Sequence, residues 1–349
     1  MSGCGINNSA VSGGFTWGEL RAWNPTTGEP RRHPTPASPR AHALAACPDG
    51  RSFLTWPHVD QGQRWDLAQG WPLGKPLADH GVHAAAYSPD GKTLLTGSTI
   101  STDSGWRATW RLWESRTGEP RSERRFHFDV PEKVPGRVSA VHAVAWRGDS
   151  RAFLTVAGGM VRLWRADTGE PLGKPILHHD RVGDALFSPD GRLVLARFGD
   201  NTARFYDAAT GKPHGPPLPH TEAVQAMTFS PDGRTVATAG GTLSDRLEKQ
   251  VMGFVQFWDV ATGKPLGGPL RHRKGVTAIY FRPDGKALLS ACRDGTARLW
   301  QVPEALEGDA AQLMLWAEAR SGLRLDEHDV VVPLSDAEWL ERRKRLGEE

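Results

Sequence analysis

Apolar and polar positions along this chain repeat a single cadence. In "AMTFSPDGRTVATA" (226–239) an apolar run meets a polar turn, and a second apolar run follows. The cadence returns in "AAAYSPDGKTLLTG" (84–97), "DALFSPDGRLVLAR" (184–197) and "AIYFRPDGKALLSA" (278–291). Proline in the second position, with Asp and Gly after it, suits a type I turn. The pattern therefore predicts a strand a over 223–229 joined by "SPDG" to a strand b over 234–239. A second tight turn, "DGT" (294–296), leads into a strand c over 296–300. "TGEP" or "TGKP" then joins c to a proline-rich strand d, as in "KPHGPPLP" (212–219). Proline cannot donate to a ladder, so strand d belongs at a sheet edge, where it also resists pairing with other molecules.

Two landmarks set the period. One is a turn aspartate at Asp49, Asp90, Asp149, Asp190, Asp232 and Asp284. The other is an aromatic closing strand c at Trp23, Trp65, Trp113, Trp164, Tyr206, Trp258 and Trp300, which defines repeats 1 to 7. From aromatic to next Asp the intervals are 26, 25, 36, 26, 26 and 26; from Asp to next aromatic they are 16, 23, 15, 16, 26 and 16. The undisturbed period is 42 residues. Four short strands per roughly 40–45 residues is the pattern of a propeller blade.

With these residues in view, the chain resembles a WD40 repeat protein over about residues 1–300. The last repeat carries all four residues of that family's structural tetrad: His272, Ser290, Asp294 and Trp300. The resemblance implies that these side chains form a hydrogen-bond network. Repeat 6 keeps His220, Thr238 and Trp258, and repeat 5 keeps His178, Asp200 and Tyr206. The family's Gly-His dipeptide is absent, and Trp-Asp occurs only at 65–66 and 258–259. Degenerate "TGEPLGKPL" repeats of this kind also resemble bacterial WD40 regions that often follow a protein kinase domain, so the chain is readable as a piece of a longer polypeptide.

The expected fold is all-β: a seven-bladed WD40-type β-propeller over 1–302, with a short α-helical tail over 303–349. Repeat 1 lacks its strand a, because its a–b turn falls near Asn7. Repeat 7 lacks a proline-rich strand d after Trp300. The tail predicts a helix over 310–321, with Asp309 as cap, Gln312 at the reciprocal position and Gly322 after its last turn. A β-like run follows over 329–334, and Ser335 with Glu338 forms a capping box for a second helix with Trp339, Leu340 and Leu346 as apolar positions. Segment 330–334 or 323–325 is expected to patch the seam of the ring, with the helices covering one end.

Composition narrows the function classes. A net charge of +3 over 349 residues gives no electrostatic ground for a nucleic-acid or membrane partner. Three cysteines, Cys4, Cys47 and Cys292, form neither a CxxC pair nor a disulfide framework, which fits a reducing cytoplasm. The amino-terminal sequence shows no secretory signal pattern, and no apolar run reaches membrane-spanning length. A monomer without cofactor is expected.

Three intervals exceed the period. The extra residues fall within 97–109 and 240–254, between strands b and c, and within 121–139, between strands d and a. In an up-and-down blade both kinds of connection emerge on one face, and such clustering marks the binding face of a repeat protein. Trp106, Arg124, Arg125, Phe126, Phe128, Arg246 and Lys249 are the candidate contacts there, because aromatic and arginine side chains dominate interface hot spots. Their competing role is ordinary: aromatics packing back on neighbouring loops, and charges facing water.

Catalytic patterns are weak. His178, His179 and Asp180 are adjacent, but alternation on a strand parts neighbours, and His178 holds the tetrad position. His42, His83 and His142 each precede a turn aspartate by seven residues, so repetition accounts for them. "DGKT" (90–93) lacks the opening glycine and helix of a phosphate loop. "ERRKR" (341–345) is the wet face of a helix. The expected function is a non-catalytic scaffold that docks a protein or peptide on its b–c/d–a loop face. The alternatives are a sensor propeller of a kinase polypeptide or a propeller hydrolase.

Overall fold

A computed structural model of the protein describes residues 41–57, 61–79, 81–102, 105–121, 126–128, 140–241, 252–303, 310–325 and 331–346. Repeat 2 forms β1 (Ala41–Ala46), β2 (Ser52–Pro57), β3 (Gly62–Asp66) and β4 (Pro72–Leu77). Repeat 3 forms β5 (Val82–Tyr87), β6 (Thr93–Thr102), β7 (Gly105–Glu114) and β8 (Phe126–Phe128). Repeat 4 gives β9 (Ala143–Trp146), β10 (Ala152–Ala157), β11 (Met160–Arg165) and β12 (Pro171–Leu177). Repeat 5 gives β13 (Val182–Phe187), β14 (Leu193–Phe198), β15 (Thr202–Asp207) and β16 (Pro213–Pro219). Repeat 6 contributes β17 (Val224–Phe229), β18 (Thr235–Gly240), β19 (Gly253–Asp259) and β20 (Pro265–His272). Repeat 7 contributes β21 (Val276–Phe281), β22 (Ala287–Cys292) and β23 (Ala297–Gln301), with no fourth strand among the described residues. Every sheet is an antiparallel meander in chain order a-b-c-d, with the proline-rich strand outermost where it is present. Trp23 and the rest of repeat 1 lie outside the described residues.

The turns explain why the sequence folds this way. In "SPDG" the Gly91 N–H donates to Ser88 O at 2.8 Å, with Gly91 at φ +69°. The Asp90 carboxylate accepts from the Ser88 hydroxyl at 2.6 Å and from Lys92 N at 3.0 Å. Repeats 5 and 6 reproduce this through Ser188–Asp190 and Ser230–Asp232, both at 2.5 Å. In repeats 4 and 7 an arginine replaces the serine and bonds the turn aspartate instead: Arg147 to Asp149 at 2.9 Å and Arg282 to Asp284 at 2.8 Å.

The hydrophobic core is divided between neighbouring sheets. Repeats 2 and 3 share Leu54, Trp56, Leu77, Val82, Tyr87 and Trp113. Repeats 3 and 4 share Leu95, Trp110, Val141, Phe153 and Trp164, and the same holds for each later pair up to repeats 6 and 7. A central strand with a neighbouring sheet on either side is therefore buried on both faces, which is why β10 is buried throughout, whereas Leu289 in β22 of repeat 7 is exposed. The closing aromatics Trp113, Trp164, Tyr206 and Trp258 each pack against the preceding sheet. Innermost strands lie side by side, β1 against β5, β5 against β9 and β9 against β13, with β17 against β21. A cavity of about 420 Å³ is lined by Pro89, Trp146, Pro189, Pro231 and Pro283, drawing on five successive repeats through their a–b turns.

The insertion in repeat 3 differs from the expected loop. Residues 97–109 lengthen β6 and β7 into ten-residue strands that stay paired out to Thr102↔Gly105. Phe126 and Phe128 likewise form β8, the outer strand of repeat 3, paired as Trp110↔Phe126 and Ala108↔Phe128 at the place where β12 pairs through Val161↔Ile176 in repeat 4.

Chain contacts separate a second unit at Val302/Pro303. It holds α1 (Ala310–Ser321), β24 (Leu323–Leu325), β25 (Val331–Pro333) and α2 (Asp336–Arg345). Gly322, at φ +69°, ends α1 by donating to Glu318 O at 2.9 Å. The Ser335–Glu338 capping box starts α2. Trp339 Nε1 donates to Ala319 O at 2.6 Å, and Arg342 pairs with Glu318 at 2.7 Å, joining the helices. Asp309 and residue 330 lie outside the described residues. The segments expected as seam strands pair with each other, Arg324↔Val332, since a short connection makes that ladder the least costly in loop entropy.

Candidate functional site

A hydroxyl on strand b receives the indole N–H of strand c in five of the six described repeats. Trp65 donates to Thr55 at 2.8 Å, Trp113 to Thr96 at 3.0 Å, Trp164 to Thr155 at 2.9 Å, Trp258 to Thr238 at 2.8 Å and Trp300 to Ser290 at 2.7 Å. His220 Nε2 lies 2.8 Å from Thr238 Oγ1, and His272 Nε2 lies 2.8 Å from Ser290 Oγ. The structure thus brings His272, Ser290 and Trp300 together. Asp294 bonds Thr296 instead, through the side chain at 2.6 Å and the backbone at 2.9 Å. Those two bonds hold its carboxyl down to about 2. Repeat 5 has Ala196 at the hydroxyl position; there His178 stacks on Phe198 at 3.8 Å and faces Asp200 at 3.7 Å.

The Thr238→Val variant is expected to lose about 1–3 kcal/mol, because a near-isosteric methyl strands both the His220 and Trp258 nitrogens. A shifted urea midpoint in far-ultraviolet circular dichroism checks this.

The predicted contact residues are only partly described. Trp106 sits in β7 opposite Ser101, and Phe126 and Phe128 sit in β8. Arg124, Arg125, Arg246 and Lys249 lie outside the described residues. Strand order places the β6–β7 hairpin tip, the connection from β18 to β19 and the link from β8 to β9 at the same end of their sheets.

That end also holds a cavity of about 320 Å³ lined by His142, Arg181, Gly183, Asp184, Arg197 and Gln225, among others. It forms where strand a is bulged. The register shifts between Val82 and Ala84, Val182 and Asp184, Val224 and Ala226, and Val276 and Ala278. Such a bulge re-aims one side chain per strand. His142 holds the equivalent position in repeat 4, and its Nε2 bonds Val182 O at 2.8 Å, tying repeat 4 to repeat 5. Burial, with Arg181 and Arg197 adding repulsion, keeps this imidazole neutral by lowering its pKa. Arg197 donates to Val224 O at 3.0 Å and Gly183 O at 3.3 Å, which ties repeat 5 to repeat 6. Burial pushes the Asp184 carboxyl up, against the opposing pull of Arg197.

The sequence reading missed Asp184 and Arg197 because it tracked landmarks and insertions only. The signal was present. Six residues before the turn aspartate, the other described repeats carry Ala43, Ala84, Ala143, Ala226 and Ala278. Seven residues after it they carry Trp56, Gly97, Val156, Ala239 and Ala291.

His178, His179 and Asp200 have donor atoms within 4.8 Å of one another, a spacing that could hold a metal ion. Their chemistry opposes it. His178 Nδ1 accepts the Asp180 N–H at 3.1 Å, so a neutral ring carries its proton on Nε2, the atom a metal would need. Arg204 also lies 3.4 Å from the Asp200 carboxylate.

Comparison with known proteins agrees with this architecture. The WD domain, G-beta repeat, is found in four segments, 71–114, 169–207, 216–246 and 263–301. The chain is similar to the serine-threonine kinase receptor-associated protein of Gallus gallus, 26% identical over 176 residues, which is 49% of this chain and 45% of that protein. The Mus musculus protein of the same name is 24% identical over equal shares. The WD repeat and SOCS box-containing protein 1 of Xenopus tropicalis is 42% identical over 53 residues, 15% of this chain and 13% of that protein. The chain aligns with less than half the length of each of these relatives.

Proposed function

We propose that this protein is a non-catalytic, seven-bladed propeller that acts in the cytoplasm as a scaffold, docking a protein partner on its b–c/d–a face. What supports the reading is that the described strand ends flanking all three insertions, and the charged cavity, fall at the same end of their sheets. WD repeats in the chain and in its relatives support an interaction role in general. A hydrolase would need a nucleophile or a free acid–base pair. No Ser, Thr or Cys is among the described residues lining this cavity, and His142 is already committed to a backbone carbonyl. The kinase-linked alternative rests on the style of the repeats, beside relatives named for association with a serine-threonine kinase receptor.

The test compares faces. A partner captured by the intact chain should be lost when residues 100–107 are replaced by Asn-Gly, a two-residue turn that closes the Thr99↔Ala108 pair. It should be retained by Arg192→Glu, on an a–b turn at the opposite end. Equal recovery by all three proteins contradicts the proposed face.

A further inference from the structure

Repeat 5 breaks the repeat at three neighbouring positions, and the three changes fit one another. Gly183 replaces the side chain that other repeats carry there as His42, His83, His142, Gln225 or Thr277. A Cβ at Gly183 would run into the Arg197 guanidinium, so the glycine makes room for that arginine. Asp184 replaces alanine, and Arg197 stands directly opposite it in the β13–β14 ladder. Placing charged groups at two positions that are apolar or small in the other described repeats costs desolvation, and the fold does not require it, since those repeats form the same strands without them.

The charges do not cancel. Arg181 on the rim and Arg197 on the wall face one acid, Asp184, whose Oδ1 accepts the Ala185 N–H at 2.8 Å. Of the five N–H groups on Arg197, backbone carbonyls occupy Nη1 and Nη2, while Nε is buried without a partner. Gln225 adds an amide to the same lining. Arginine forks match planar carboxylates. A dianionic phosphate is disfavoured beside Asp184, and a cation meets two guanidinium groups.

We propose that this cavity takes a single carboxylate side chain, a Glu or Asp of a protein partner, held by Arg197 and Arg181 with Asp184 as an internal counter-charge. The proposal rests on the b–c/d–a face being the docking face. Its test uses the purified full chain and defined peptides, so its outcome is separate from partner capture.

The probe is a blocked Gly-Ser-Glu-Ser-Gly peptide, titrated beside its Gln, Lys and phosphoserine counterparts. The Glu peptide should bind saturably, about tenfold more tightly than the Gln peptide. Arg181→Ala, at an exposed side chain, should weaken Glu binding several-fold with unchanged melting. Asp184→Ala, which restores the residue of the other repeats, should tighten it. The proposal is overturned by absent binding of the Glu peptide or tighter binding of the Lys or phosphoserine peptide. Loss of Glu binding in Asp184→Ala, or an Arg181→Ala variant that binds as the parent does, overturns it equally.

Discussion

Trp113→Ala is expected to destabilise the protein by about 3–5 kcal/mol, the range for emptying a buried tryptophan site. Trp113 is 2% exposed and fills the interface between repeats 2 and 3, with its ring 6.4 Å from Trp56. Its indole N–H also satisfies Thr96, and Arg111 lies over its face at 4.9 Å. Truncation removes packing on two sheets at once, and neither can collapse into the gap without losing its own ladder register. The matched control is Trp71→Ala, at a position 68% exposed, where a change within about 0.5 kcal/mol is expected. Urea denaturation of both variants gives the comparison; equal midpoints would show that the inter-sheet interface is not where stability resides.

Acidification is expected to weaken the fold well before the turn aspartates titrate. Burial lowers the pKa of His220 from 6.5 to about 4, and burial also lowers those of His142, His178 and His272. These rings stay neutral in the folded protein and protonate more readily in the unfolded chain. Between pH 6.5 and about 4 the unfolded chain therefore holds more protons, and stability falls as pH falls. His220 alone contributes up to about 3 kcal/mol of this loss. The turn aspartates, Asp90, Asp190 and Asp232 among them, have lowered pKa values, and their contribution is lost only at still lower pH. Melting temperatures should decline from about pH 7 to about pH 5, with a shallower decline in His220→Gln. A flat profile across that window contradicts the burial of these imidazoles.

Much of the strand order was legible because its markers are local. A turn aspartate bonded to its own backbone, and an aromatic closing strand c, depend on residues within a few positions, so their spacing reports the sheets directly. The insertion at 97–109 was legible as length but not as structure. Counting residues cannot separate a loop from a longer hairpin, and the β-branched and aromatic residues Thr99, Ile100, Thr102, Trp106 and Thr109 favour the ladder that formed. Asp184 and Arg197 escaped notice for a different reason: each is unremarkable alone, and only their alignment across repeats and their opposition in the ladder give them meaning. The tail shows the same limit. The capping box predicted α2 correctly, while the pairing of β24 with β25 depends on which partner lies nearest.

The central claim is that each repeat is one sheet, packed through its inner strands and finished in repeats 2, 4, 5 and 6 by a proline-rich edge. Hydrogen exchange of the full chain reads this directly, because protection follows the ladder and the buried core. Slowest exchange is predicted in β2, β6, β10, β14 and β18 and their β3, β7, β11, β15 and β19 partners, recurring once per repeat from repeat 2 to repeat 6. β4, β12, β16 and β20 should exchange faster, since each is bonded along one side only. Protection without that recurrence, or outer strands as protected as β10, would contradict the account.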